Sequence, residues 1–268
     1  MDQRTINGAQ AVARAAQILK LVSQRAERGH VLAELVAKSS LTRPTVYRLL
    51  AALQAAGLIE QDSKTARWYL GPECHVLGTL AARRFNIERL AHESLLRIAG
   101  STGESAFLSV RRGAESVCLI REEGTYPIRT HVLQAGDRLP LGVGSAGIAM
   151  LAGLGDTEIE ELMIQISPHL KSRFMSFTPQ RIKQFVAQTR AAGYATNKGL
   201  LLEGSWGVAA AVRDAAGIPI AALSITAIET RVQGERHAEL GRLLVREARS
   251  LGHLLISESG AGSRRKVA

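Results

Sequence analysis

Several functional classes are closed to this chain by what it lacks. Its 268 residues include only two cysteines, Cys74 and Cys118. They stand far apart and form no C-x-x-C pair, so neither a zinc site nor a disulfide framework is indicated, and buried thiols in a reducing compartment are expected. The seven histidines, His30, His75, His92, His131, His169, His237 and His253, are scattered without H-E-x-x-H or similar ligand spacing. No metal centre and no cofactor are therefore expected. No apolar run approaches the ~20 residues of a membrane span, and the opening Met-Asp-Gln-Arg-Thr has no apolar signal core. A cytoplasmic location is the expectation. No internal repeat is found.

What is present is globular in composition, 46% hydrophobic and 22% charged, with a net charge of +10. That length suffices for two domains. The positive excess is uneven: up to Phe85 there are 12 Lys and Arg against six Asp and Glu, and beyond it 22 against 18, with Arg264-Arg265-Lys266 supplying three. A basic excess favours phosphate contacts through counterion release but carries no base information.

The basic part is organised around Leu41 to Ala56. Thr42 is a suitable N-cap and Pro44 suits the first helical turn, where a missing N–H has no intrahelical role. Val46, Leu49, Leu50 and Leu53 follow as one apolar stripe, and Gly57 closes the helix. The opposite face carries Tyr47 and Arg48 with Thr45 beside them, then the small Ala51, Ala52 and Ala55. Upstream, Leu32, Leu35 and Val36 mark a shorter helix ending near Ser39, so Ser40 and Leu41 alone separate it from the Thr42 cap. This spacing predicts a helix-turn-helix. Leu58 to Gln61 and Arg67 to Leu70, around Asp62-Ser63-Lys64-Thr65-Ala66, predict a hairpin or wing. A bare helical hairpin need not bind nucleic acid, but the wing favours double-stranded DNA as the partner. Arg48, Thr45 and Tyr47 are expected in the major groove, Arg43 on a phosphate near the helix start, and Lys64 and Arg67 on wing phosphates.

In chain order, residues 1 to about 8 are polar, and Ala11 to Arg25 predicts a helix with Val12, Ala15, Ile18, Leu19 and Val22 on its apolar stripe. After the Gly71-Pro72 breaker, Glu73 to Phe85 predicts a connecting helix whose Val76, Leu77 and Leu80 point to a dimer contact. From Asn86 helices and strands alternate. Ile87 to Ala99 is a helix stopped by Gly100; Ala106 to Val110, Val117 to Arg121 and Ile128 to Val132 are strands; Ala146 to Leu154, Glu158 to Ile166 and Thr178 to Ala192 are helices. Trp206 to Val212 and Ile218 to Ala227 form a second hairpin, and Glu235 to Ile256 a long closing helix. The fold class is α+β with one mostly antiparallel sheet.

Thr45-Val46-Tyr47-Arg48-Leu49-Leu50, Gly57-Leu58-Ile59-Glu60, Trp68-Tyr69-Leu70-Gly71, Leu139-Pro140-Leu141-Gly142-Val143-Gly144-Ser145-Ala146-Gly147 and Gly217-Ile218-Pro219-Ile220-Ala221-Ala222-Leu223-Ser224-Ile225, in this order and spacing, resemble the IclR family of bacterial transcription regulators from about residue 8 to 256. The resemblance implies a winged helix-turn-helix over 8–71, a linker helix over 72–85 and a GAF-like effector-binding domain over 86–256, with a disordered basic tail over 257–268. It also implies homodimers or homotetramers on pseudo-palindromic operators. It selects Gly144, Ser145, Ala146, Asn197, Gly207, Ser224 and Thr226 as the effector site. Relatives commonly carry an acid, a Glu and a Cys where this chain has Asn197, Leu200 and Gly207. Asn197 removes repulsion toward an anion and Gly207 leaves room, so a small organic acid with an apolar or aromatic body is the expected effector.

Other readings are weaker. Gly142-Val143-Gly144-Ser145-Ala146-Gly147 satisfies G-x-G-x-x-G, but Pro140 argues against the central parallel strand that a dinucleotide site requires. A G-x-S-x-G nucleophile elbow fails because Val143 stands where its first glycine belongs. An architectural DNA-binding protein without ligand would not need a loop that opens a helix over a sheet, as Val143 to Ala152 does. A metabolite-binding enzyme fused to a DNA module would need an acid–base pair or metal spacing that the second domain does not show.

Overall fold

A computed structural model describes residues 9–24, 27–82, 86–128, 130 and 132–264, with side chains up to residue 258. The polar segment expected over residues 1 to 8 and the end of the connecting helix at Phe85 lie outside the described residues. The chain divides into two compact units at Asn86 and Ile87.

In the first unit α1 (Gln10–Ser23), α2 (Leu32–Ser39) and α3 (Arg43–Ala55) are followed by the antiparallel strands β1 (Ile59–Gln61) and β2 (Trp68–Leu70) and by α4 (Pro72–Ala82). Ile18, Val22, Leu35, Val46, Leu50, Leu53, Ile59 and Trp68 form its core. Val12, expected on the buried stripe of α1, is instead 70% exposed, because the packed face begins further along the helix. Gly57 closes α3 with φ of 70°. Its N–H bonds Gln54 at 2.9 Å and that of Leu58 bonds Leu53 at 3.0 Å, the paired closure of a Schellman motif. The exit of β2 then passes so close that a Cβ on Gly71 would lie 2.2 Å from the Gly57 carbonyl oxygen. Glycine is required there by contact.

The second unit is built on a six-stranded sheet of order β5-β4-β3-β8-β7-β6, antiparallel at every pairing. Its strands are β3 (Ser105–Arg112), β4 (Glu115–Glu122), β5 (Arg138–Pro140), β6 (Ala195–Lys198), β7 (Ser205–Arg213) and β8 (Pro219–Ile228). Helices α6 (Gly144–Ala152), α7 (Asp156–Arg173) and α8 (Pro179–Ala192) cover one face, and α5 (Ile87–Thr102) and α9 (Glu235–Arg264) the other. Both faces are covered, so the central strands are buried nearly throughout instead of alternating with solvent. Within β8, Leu223, Ile225 and Ala227 pack toward α5 and α9, which leaves Ser224 and Thr226 on the face of α6.

Five elements differ from the sequence-based expectation: β6, which it did not include, and four more. Helix α5 passes Gly100 and ends at Gly103, whose φ of 74° supplies the left-handed terminus; an interior glycine costs a helix only ~1 kcal/mol. The third strand is β5 at 138–140, whereas Ile128, Thr130 and Val132 are not in a strand. Helix α7 runs on to Arg173 through Pro168. Helix α9 continues to Arg264 in place of a disordered tail from Ser257; Glu258, on this extension, accepts from Arg89 of α5 at 2.5 Å. Residues 265–268 lie outside the described residues.

Candidate nucleic-acid interface and ligand pocket

The surface expected to face DNA is set by how α3 is started. Thr42 and Thr45 bond each other through their hydroxyls at 2.9 Å, so Thr42 does not cap with its side chain and Thr45, half-buried, points back to the turn. Arg43, Tyr47 and Arg48 are exposed, Tyr47 to 60%, followed by exposed Ala51, Ala52 and Ala55. Helix α2 is aligned by Glu34, whose carboxylate accepts from the Val31 N–H at 3.3 Å and pairs with His30 Nδ1 at 3.1 Å.

The wing tip is an Asx turn. Asp62 Oδ1 accepts from Lys64 N at 3.0 Å, Thr65 N at 2.7 Å and the Thr65 hydroxyl at 2.8 Å. These bonds, the Thr65 N–H first, hold the Asp62 carboxyl below the usual carboxylate range. The turn leaves Lys64 exposed at the tip. Arg67 is placed otherwise than the sequence led us to expect. Its Nη1 donates to the carbonyls of Arg28 and Gly29, both at 3.2 Å, and it clamps the loop before α2 to the wing.

In the second unit one cavity of about 450 Å³, part of it open to solvent, is lined by all seven residues expected at the effector site: Gly144, Ser145, Ala146, Asn197, Gly207, Ser224 and Thr226. Helix α6 opens onto it with no side-chain cap, so its first backbone N–H groups and the positive end of its dipole face the cavity. Across the sheet, Asn197 of β6, Gly207 of β7 and Thr226 of β8 are register partners on one row. Asn197 is 4% exposed. Its Oδ1 accepts from Leu200 N at 3.2 Å, which fixes the amide and leaves Nδ2 as its donor.

Sequence reasoning missed Ser205, which lies two residues before Gly207 and so on the same face of β7. The hydroxyls of Ser205 and Thr226 are buried without a hydrogen-bond partner among the described residues. Such groups are costly unless something bonds them. It missed the apolar walls as well: Phe107, Val132, Leu133, Leu139, Leu201 and Leu202 converge there from four separate segments. Among the described residues the lining contains no acidic, basic, histidine or cysteine side chain. One expectation is corrected: Gly207 leaves no open room, since a Cβ on it would lie 2.7 Å from Ser145 Oγ.

The thiols are placed apart from this chemistry. Cys118 is buried and its pKa is pushed up to about 12, by burial first and then by Asp137, so it is inert as a nucleophile. Cys74 is only half-buried, with Sγ donating to the Leu58 carbonyl at 3.1 Å. Among the described residues no cluster of His, Cys, Asp or Glu could hold a metal ion, and no helix is long and apolar enough to cross a membrane.

Comparison with known proteins places both units. The family model described as the IclR helix-turn-helix domain matches residues 11–63, and that described as bacterial transcriptional regulator IclR C-terminal matches residues 79–253. The chain is 27% identical over 260 residues to the HTH-type transcriptional regulator BhcR of Paracoccus denitrificans, covering 96% of this chain and 91% of that one. It is 27% identical over 237 residues to the transcriptional repressor IclR of Escherichia coli, covering 87% and 86%. Its fold is shared by an IclR homolog complexed with 4-hydroxybenzoate from Microbacterium hydrocarbonoxydans, with a TM-score of 0.71 at 20% identity, covering 91% and 98%.

Proposed function

This chain belongs to the IclR family of DNA-binding bacterial transcriptional regulators, and from that premise we propose that it is a repressor whose operator affinity is set by a small organic acid held in the cavity under α6. The carrying observation is the polar end of that cavity. It presents the N-terminus of α6, the Asn197 amide and the unpartnered hydroxyls of Ser205 and Thr226, all able to donate to an anion. Phe107, Leu139 and Leu201 offer an apolar body its surroundings. A relative of the same fold holds 4-hydroxybenzoate, an acid of this shape. Among the described residues the lining brings no nucleophile and base together, which supports a sensor over an enzyme. In the first unit Arg48 and Tyr47 are read as base-facing, Arg43 and Lys64 as phosphate-facing, and Thr45 as a contact of the helix start. Arg67 is assigned to holding the wing. Assembly as a homodimer or homotetramer on a pseudo-palindromic operator in the cytoplasm completes the reading.

The test is calorimetric titration of a panel of monocarboxylic acids into the wild type and a Ser224→Ala, Thr226→Val double variant, with operator filter binding in parallel. The best acid is expected to change operator affinity at least tenfold, a coupling of about 1.4 kcal/mol, and to bind the variant more weakly. An acid that binds both proteins equally well places the pocket elsewhere.

A further inference from the structure

The charge of helix α7 is divided along its length. Asp156, Glu158, Glu160 and Glu161 crowd its first turns, whereas from residue 162 to 202 the chain has no Asp or Glu and carries Lys171, Arg173, Arg181, Lys183, Arg190 and Lys198. Part of this order is local. Acids in the first turn and cations in the last complement the helix dipole, and within one copy Asp156 pairs with Arg190 and Glu158 with Arg111. Glu160 and Glu161, in the second turn, lie beyond the reach of that effect. They and Lys171 are exposed, and among the described residues none of the three has an ion-pair partner.

Between these charges the helix turns an apolar side chain to solvent. Ile164 is 77% exposed and Met175, in the turn after the helix, 78%, the two most exposed large apolar side chains among the described residues. The exposed Glu161, Ile164, Pro168 and Lys171 are spaced by three, four and three residues, so they form one stripe. Reversed, that stripe is its own complement: acid, apolar, apolar, base.

We propose that this face of α7 pairs antiparallel with α7 of a second copy about a two-fold axis, and that the contact joins two dimers, each paired through Val76, Leu77 and Leu80 of α4, into a tetramer. The assignment rests on the homo-oligomeric assembly stated above. A three-four-three spacing is that of a helix seam. On the two-fold axis Ile164 meets the partner's Pro168, and Glu161 meets the partner's Lys171 at both ends. A surface of one sign is attracted to one end of the stripe and repelled by the other, which disfavours nucleic acid or an anionic membrane as occupant; a second copy satisfies both ends. One helix pair is smaller than the interfaces that hold free proteins together. Two dimers, however, meet through two such contacts at once, and the second gains from effective concentration. Two different two-fold contacts on one chain close into a tetramer when their axes intersect.

The test is sedimentation velocity of the full-length chain at tens of micromolar. Wild type is expected as a tetramer. Lys171→Glu, and separately Glu160→Lys with Glu161→Lys, set like charges against each other at both ends of the seam. Each variant should sediment as a dimer and melt close to wild type, because none of these side chains is in the core. Mixed in equal amounts, the two variant proteins should form tetramers again, since each supplies the charge that the other lacks. Damage to the fold cannot produce that recovery. A dimeric wild type overturns the proposal and leaves the α4 contact standing, and a monomeric wild type overturns both. Tetramers unchanged in either variant, or variants that stay dimeric when mixed, overturn it as well. A dimeric wild type that floats with phosphatidylglycerol vesicles, when Lys171→Glu does not, gives the face to a lipid surface instead.

Discussion

Ser40 turns the chain between α2 and α3 with φ of 57°, a left-handed conformation that costs a non-glycine residue roughly 1 kcal/mol. Its side chain is exposed, so the backbone alone decides what fits. Ser40→Val, β-branched, should lose about 1–2 kcal/mol of stability, whereas Ser40→Gly should be no less stable than wild type because relief of strain offsets the added freedom of the unfolded chain. Urea denaturation midpoints in the order Val, Ser, Gly are the expected outcome; a Val variant with the wild-type midpoint would show that the turn is not strained. Asp62 is the other residue whose local chemistry is exposed to test. Its carboxyl is held below the usual range, so the support it gives the wing tip is complete above the unfolded carboxylate pKa and is lost as pH falls through the depressed folded value. Amide exchange at Lys64 and Thr65 should therefore accelerate on acidification in wild type, after correction for intrinsic rates. Asp62→Asn keeps an acceptor at that position and does not titrate, so it should remove this pH dependence; identical acid profiles in both proteins would refute the assignment.

Among the elements, α3 was the most legible in the sequence, since its Pro start, apolar stripe and Gly57 closure are all local signals. The sites that depend on distant chain were not legible. Arg67 reads as a wing cation until the fold brings the carbonyls of Arg28 and Gly29 to it from nearly 40 residues away. Strand β5 has three residues, one of them Pro140, and pairs only with β4 at the sheet edge, too short for a period-two pattern to register. Ser145 and Gly207 were each singled out, but their close approach exists only where α6 lies on β7. The proposed division between specific and general DNA contacts falls between α3 and the wing. Arg48→Ala should cost the operator ~1–3 kcal/mol and relax its preference over random duplex, whereas Lys64→Ala should weaken both alike and lower the salt dependence by about one counterion. Filter binding at several salt concentrations separates the two; an Arg48→Ala protein that binds operator and random DNA as wild type does removes Arg48 from the groove.

At the scale of the whole molecule the question is how many copies read one operator. The proposed pseudo-palindromic operator would present half-sites about one DNA turn apart, or a multiple of it, with one α3 reading each, so a monomer would leave half the site unread. Helix α4 is the surface we propose for pairing. It has no buried residue, and Val76, Leu77 and Leu80 are 47%, 49% and 53% exposed along one side of it. Three large apolar side chains together on an 11-residue helix are unfavourable in water, and covering them in a second copy would recover about 25 cal/mol for each Å² of apolar surface. Light scattering at micromolar concentration is expected to give at least a dimer. Leu77→Glu with Leu80→Glu would place four carboxylates in the contact of a pair. That variant should shift to monomer, keep the wild-type urea midpoint at low protein concentration because neither side chain is in the core, and lose far more affinity for a complete operator than for an isolated half-site. A wild-type protein that stays monomeric with and without DNA, or a variant that dimerises and binds as before, would remove α4 from the assembly.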